Sequence, residues 1–133
     1  METNECPRIG IERSASSNNR LAVLSLPNKG RGVISLVQFN PGDVIEVCPV
    51  LVISGEDSCH IDRTSLYDYY WEWKGDTVAL ALGYGSLYNH SETPNARVMK
   101  NYADSTMKIV SMNGIEPGEE ITVHYGSVWF KLA

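Results

Sequence analysis

Three short segments hold the residues whose types and spacing could do chemistry. Lys29-Gly30-Arg31-Gly32 sets two glycines around one residue. Such a pair lets the backbone approach a ligand closely and leaves amide N–H groups pointing at it. A lone G-x-G is also an ordinary turn, and this one lacks the third glycine and following helix of a dinucleotide-binding loop. Gly83-Tyr84-Gly85-Ser86-Leu87-Tyr88-Asn89-His90-Ser91, extended by Thr93-Pro94-Asn95, crowds polar and aromatic groups directly after the apolar run 78–82. Burying polar groups unpaired costs about 1–3 kcal/mol each, so this segment is either exposed or paired to something specific. Gly118-Glu119-Glu120-Ile121-Thr122-Val123-His124-Tyr125-Gly126 runs a strand into a Tyr-Gly pair. Tyr125 therefore falls where the strand ends. A tyrosine there reads equally as core packing with its hydroxyl satisfied nearby.

The elements that must position these segments are mostly short strands. Apolar or β-branched stretches at 21–26, 32–37, 44–53, 95–99, 106–111 and 120–125 predict strands. Pro27-Asn28-Lys29-Gly30, Asn40-Pro41-Gly42-Asp43 and Glu116-Pro117-Gly118-Glu119 supply the turns between them. Pro49 inside 44–53 predicts an edge position or a break, since proline cannot donate to a ladder. A helix is expected at 62–73 with Asp62 as its N-cap, although Tyr67, Tyr70, Trp71 and Trp73 fit a strand equally. A short closing helix is expected at 128–132. Many short strands with little helix predict a mainly β fold.

The 133 residues make one domain's worth of chain, and 43 % hydrophobic with 20 % charged residues excludes a disordered protein. The longest apolar runs, 50–53 and 78–82, are far too short for a membrane span. The first residues are acidic where a signal peptide needs positive charge, so an intracellular, reducing setting is expected. Cys6, Cys48 and Cys59 form no C-x-x-C pair, and the Cys59-His60 couple lacks further ligands at workable spacing, so no metal is expected. The net charge is −5, and residues 56–76 carry six acids against Arg63 and Lys74, a local balance of −4. An acidic chain without a Lys/Arg stripe argues against direct nucleic-acid binding. The acidic stretch reads either as a solvated face or as a surface that attracts a basic ligand.

In this order, G-x-G, N-H-S-x-x-P-N and G-E-E-I-x-x-x-Y-G resemble the SET-domain protein lysine methyltransferases over roughly residues 20–130. The stretch 81–97 is similar to minimal SET proteins of a large virus and of bacteria, which contain little beyond the SET core. The resemblance implies a SET fold of small curved β-sheets with few short helices. Its pseudoknot-like crossing brings the N-H-S strand beside the tyrosine strand. It implies a single domain over residues 1–133 without a zinc-binding tail after Tyr125. The cofactor implied is S-adenosylmethionine, held by Lys29, Gly30, Arg31 and Gly32, with Asn89 on its amino-acid end and the His90 backbone on its adenine edge. Tyr88 is a further cofactor candidate, and Trp129 or Phe130 would cover the site in place of the missing tail. Tyr125 corresponds to the family's catalytic tyrosine. Tyr84, Tyr88 and one of Tyr69 or Tyr70 join it as candidate walls of a lysine channel. His124 stands where an acidic residue is common.

The implied activity is methyl transfer from the cofactor to a lysine of a basic protein such as a histone tail. A free lysine, with a pKa near ~10.4, is almost wholly protonated at neutral pH. An aromatic channel beside a sulfonium depresses that value by desolvation and like charge, so no strong general base is needed. Under this reading the acidic stretch 56–76 becomes a groove for a basic peptide, and neutralising Asp57, Asp62 and Asp68 should raise KM. A homodimer is possible, no membrane or nucleic-acid partner is implied, and the setting is chromatin or bacterial cytoplasm. Two alternatives stay open: a catalytically inactive SET-like module that binds a basic peptide, and an unrelated β-rich interaction protein.

Overall fold

The computed structural model describes residues 19–126; the expected helix at 128–132, with Trp129 and Phe130, lies outside them. Leu21–Leu26 (β1) pairs antiparallel with Gly30–Ser35 (β2), Leu21 opposite Ser35 and Leu26 opposite Gly30. The chain reverses through Asn28 and Gly30, at φ of 65° and 75°. Asparagine and glycine are the residues that tolerate this left-handed region. The G-x-G segment thus starts on the hairpin turn and continues into β2.

The remaining elements are Val44–Ile53 (β3), Gly55–Ile61 (α1), a 3-10 turn at Ser65–Tyr69, Tyr70–Glu72 (β4), Val78–Ala81 (β5) and Asn89–His90 (β6). Ala96–Asn101 (β7), Thr106–Ser111 (β8) and Glu120–Val123 (β9) complete them. Two sheets result, one ordered β1-β2-β9-β6 and the other β4-β5-β3-β8-β7. Every pairing is antiparallel except β6 with β9, where Asn89 lies opposite Thr122 and His90 opposite Val123. This is the expected meeting of the N-H-S strand with the tyrosine strand, and the mainly β class holds.

Two local expectations are corrected. Pro49 sits in β3, which is the central strand of its sheet rather than an edge. It is tolerated because β3 changes sides there: Val44 to Pro49 pair with β8, while Val50 to Ile53 pair with β5. The missing N–H thus falls where one ladder ends. The expected helix at 62–73 is instead a 3-10 turn followed by a strand, and the helix lies just before it. Ser54 caps α1 by accepting from the Asp57 N–H, Asp62 closes that helix at its C-terminus, and Thr64 caps the 3-10 turn. Tyr70 and Trp71 then pair with Leu80 and Ala79 as a strand. The aromatic, β-branched-tolerant surface of a sheet outweighed the helical spacing.

One apolar cluster joins the two sheets. Ile45, Cys48, Met107 and Ile109 come from one sheet and Val33, Ile121 and Val123 from the other, all essentially without solvent exposure. Burial of each large aliphatic side chain contributes about 1.5–3 kcal/mol. The alternation Ile121 in, Thr122 out, Val123 in therefore fixes β9 in register, because a one-residue slip would expose both.

Candidate active site

Glu120, at the start of β9, organises the first part of the site. Its Oε1 accepts from Lys29 Nζ at 2.6 Å and its Oε2 from Asn89 Nδ2 at 2.7 Å. Asn89 Nδ2 gives its other hydrogen to the Arg31 carbonyl at 3.0 Å. Both partners are pure acceptors, so the amide orientation is fixed, and Oδ1 takes no donor among the described residues. Gly32 borders the same spot. A Cβ there would come within 2.7 Å of Glu120 Oε2 and 2.8 Å of Asn89 Nδ2, and nearer still to Leu26 Cδ1. Three distant segments thus meet at a place where only a hydrogen atom fits. Asn95 secures β9 from the outside: its Nδ2 donates to the Glu120 carbonyl and its Oδ1 accepts from the Thr122 N–H, each at 2.9 Å.

The turn 83–88 resolves the question of what its polar groups pair with. Glu46, on β3, accepts from the Tyr88 hydroxyl at 2.6 Å and from the Tyr84 N–H at 3.0 Å. Gly83, at φ 64°, lies so close to Glu46 Oε2 that a Cβ would clash. The Tyr88 side chain is 1 % exposed. It is therefore a core strut, and what it offers the site is its carbonyl rather than its ring. Burial, then the charge of Glu46, drives the Tyr88 phenol far above the usual tyrosine range.

That carbonyl accepts the Tyr125 hydroxyl at 2.8 Å. The Tyr125 N–H donates to His90 Nδ1 at 3.0 Å. Nδ1 must then be bare, so the neutral ring carries its proton on Nε2, which donates to Glu92 Oε2 at 2.8 Å. The ring of Tyr125 meets Trp71 edge-on at 5.5 Å and His90 at 5.1 Å. Burial, then Glu120 and Tyr69, raises the Tyr125 pKa above its ordinary value, so its hydroxyl stays protonated. Its one proton is donated to the Tyr88 carbonyl.

The expected channel walls separate on this geometry. Tyr69 is near enough to Tyr125 to act on its ionisation, and Trp71, two residues on, packs against its ring. Tyr70 points to the other side of β4, as strand alternation requires. Tyr84 is half-buried against the core. Lys29, Gly30, Arg31 and Gly32 lie together at the β1–β2 hairpin beside Asn89, and His90 adjoins Tyr125. Trp129 lies outside the described residues. Glu46, Trp71, Glu92 and Glu120 were not singled out from the sequence. Glu120 alone had a signal there, as part of G-E-E-I.

Glu92 also reaches His124, at 3.4 Å, and the ligand atoms of His90, Glu92 and His124 lie within 4.8 Å of one another. The tautomer just derived places a hydrogen on His90 Nε2, so the hydrogen bonds themselves account for the grouping. Among the described residues no helix is long and apolar enough to cross a membrane.

Comparison with known proteins agrees with this architecture. The SET domain family model matches residues 30–126. The chain is 33 % identical over 113 residues to a Schizosaccharomyces pombe histone-lysine N-methyltransferase specific for H3 lysine-37, across 84 % of this chain and 77 % of that protein. A Plasmodium falciparum protein assigned as a histone methyltransferase superposes with a TM-score of 0.69 at 36 % identity, covering 83 % of this chain and 96 % of that one. A Chaetomium thermophilum Polycomb Repressive Complex 2 chain superposes at 0.66 and 16 % identity over 80 % of this chain and 14 % of its own, which shows the fold alone. The chain belongs to the SET-domain family, the protein-lysine methyltransferases to which its three motifs pointed.

Proposed function

We propose that this chain methylates a lysine of a histone, in chromatin, with S-adenosylmethionine seated between the β1–β2 hairpin and Asn89. The residues present fit that cofactor. Gly32 lets its backbone lie directly against Glu120 and Asn89, and Asn89 Oδ1, which takes no donor among the described residues, is suited to an α-ammonium group. Lys29, Gly30, Arg31, Gly32, Asn89 and His90 would hold it, and it supplies an activated methyl group on a sulfonium. Tyr69, Tyr125 and Trp71 surround the entering amine with aromatic surface, which favours its neutral form over ammonium. Tyr125, whose hydroxyl is anchored on the Tyr88 carbonyl, borders this space and would orient the amine toward the reacting carbon. Rate then derives from alignment, where an error of 1 Å costs on the order of 10²-fold.

The observation that carries this reading is the Tyr125–Tyr88 hydrogen bond beside Asn89. The test is transfer of radiolabelled methyl from S-adenosylmethionine to purified core histones, with Tyr125→Phe alongside. Label on one histone, reduced on the order of 10²-fold in the variant, is the expected result. Cofactor binding with no label on any histone would reject the histone assignment. Equal label in both proteins would reject the role of Tyr125.

A further inference from the structure

On the side of β4 away from Tyr125, Tyr70 lines a cavity of about 450 Å³ with Ser58, Asp62, Tyr67, Trp73 and Asp76. No basic side chain is among its walls. Tyr70 is 7 % exposed, and its hydroxyl is buried with no hydrogen-bond partner among the described residues. Leaving a hydroxyl buried and unpaired costs about 1–3 kcal/mol, so this position lacks a hydrogen-bond partner that the described residues do not provide. Asp62 is close enough to act on the Tyr70 phenol, which burial first and Asp62 second keep protonated. Glu72 also borders the cavity, but it interacts with Lys100 from the far side. Among the described residues, Asp62 and Asp76 are therefore the lining carboxylates without a cation.

The sign of the charge reverses across one indole. Beyond Trp73 lies a second cavity walled by Lys74, Lys100 and Lys108 with no acid among its lining residues. A cation is thus repelled on one side of Trp73 and attracted on the other.

We propose that the Tyr70 cavity binds a second cationic side chain of the substrate protein, one that carries N–H donors, with arginine the best fit. This rests on the reading that the substrate is a basic protein. Asp62 and Asp76 supply charge, Tyr67 and Trp73 supply π surface worth about 0.5–2 kcal/mol to a cation, and the Tyr70 hydroxyl accepts one hydrogen. A planar guanidinium has five donors to distribute among these acceptors and a face to stack. A quaternary trimethylammonium has none for the hydroxyl. The site lies on the opposite face of β4 from Tyr125, so it selects which lysine is presented rather than taking part in transfer.

The test is an NMR titration of the full chain, reading the Trp73 indole N–H, with N-acetyl-arginine methylamide, the lysine analogue and the trimethyl-lysine analogue. Saturable shifts with arginine, weaker or equal ones with lysine, and much weaker ones with trimethyl-lysine are expected. The Asp62→Asn/Asp76→Asn double variant should lose them, and Tyr70→Phe, which keeps the ring, should weaken the arginine shifts selectively. In methyl transfer to core histones the double variant should raise KM roughly tenfold, the equivalent of about 1.4 kcal/mol, with kcat and S-adenosylmethionine affinity unchanged. No saturable shift with any cation, trimethyl-lysine binding as well as arginine, or shifts and KM unaltered in the double variant would each overturn the proposal. The titration needs no turnover, so it decides the cavity even if histones prove not to be the substrate.

Discussion

Replacing Gly32 with alanine tests the cofactor seat at its narrowest point. The added methyl would sit 2.7 Å from Glu120 Oε2 and 2.8 Å from Asn89 Nδ2, both below the separation that real Cβ atoms keep. Leu26 can rotate aside, because it is a half-buried strand end. Asn89 cannot move freely: it donates to Glu120 and to the Arg31 carbonyl at once, so any displacement breaks the 2.7 Å bond to the carboxylate. A hydrogen bond to a charged group contributes roughly 1.5–3 kcal/mol. Converted to affinity, S-adenosylmethionine should bind roughly ten- to a hundred-fold more weakly to Gly32→Ala by calorimetric titration. Gly30→Ala is the matched control. Its φ of 75° disfavours alanine, yet nothing lies within 4 Å of the new methyl. It should lose about 1 kcal/mol of stability while leaving Asn89 in place. Affinity within twofold of wild type for Gly32→Ala, or an equal loss of affinity in both variants, would refute the close-approach argument.

Tyr88→Phe removes the hydroxyl that Glu46 accepts from, and should cost roughly 1.5–3 kcal/mol, a fall in Tm of about 5–15 °C, with S-adenosylmethionine affinity unchanged. Cys48 and Tyr88 both keep their protons far above their ordinary values because they are buried, first, and face Glu46, second. The unfolded chain releases those protons first, so above pH ~8.5 it binds fewer than the native state, and stability falls as pH rises. Thermal melts should show a slope steepening toward roughly 1.4 kcal/mol per pH unit per group, with the first limb absent in Cys48→Ala. The raised Tyr125 pKa predicts a rate that climbs with pH as substrate lysine deprotonates, without a fall from Tyr125 ionisation below pH ~10.

Strands were legible where apolar or β-branched stretches ran between turn residues. β1 was read to the residue, β8 likewise, and β9 differed only at its C-terminal end. These strands owe their position to burial patterns that the sequence itself carries. The segment 54–73 was not legible, because its boundaries depend on two local caps, Ser54 and Thr64, and on the pairing of Tyr70 and Trp71 with β5. The three motifs meet in the structure, but their wiring could not be read from the sequence. Glu46 lies about forty residues from the tyrosine it holds, and a lone glutamate on a strand gives no advance sign of that. For the same reason the sequence did not separate Tyr69, at the end of the 3-10 turn and near Tyr125, from Tyr70, which opens β4 on the face away from Trp71. Tyr88, equally aromatic, belonged to the core.

The parallel pairing of β6 with β9 is only two residues long, yet everything chemical hangs from it. Asn89 and His90 on one strand reach Glu120, Val123 and Tyr125 on or just beyond the other, across more than thirty residues of chain. Little local structure protects so short a ladder, and its closure is a late, long-range event in folding. The enzyme therefore carries an interlock. Any opening of β9 parts Asn89 from Glu120 and releases Tyr125 in the same motion, so under the proposed function a partly unfolded molecule cannot bind methyl donor without also being able to aim it.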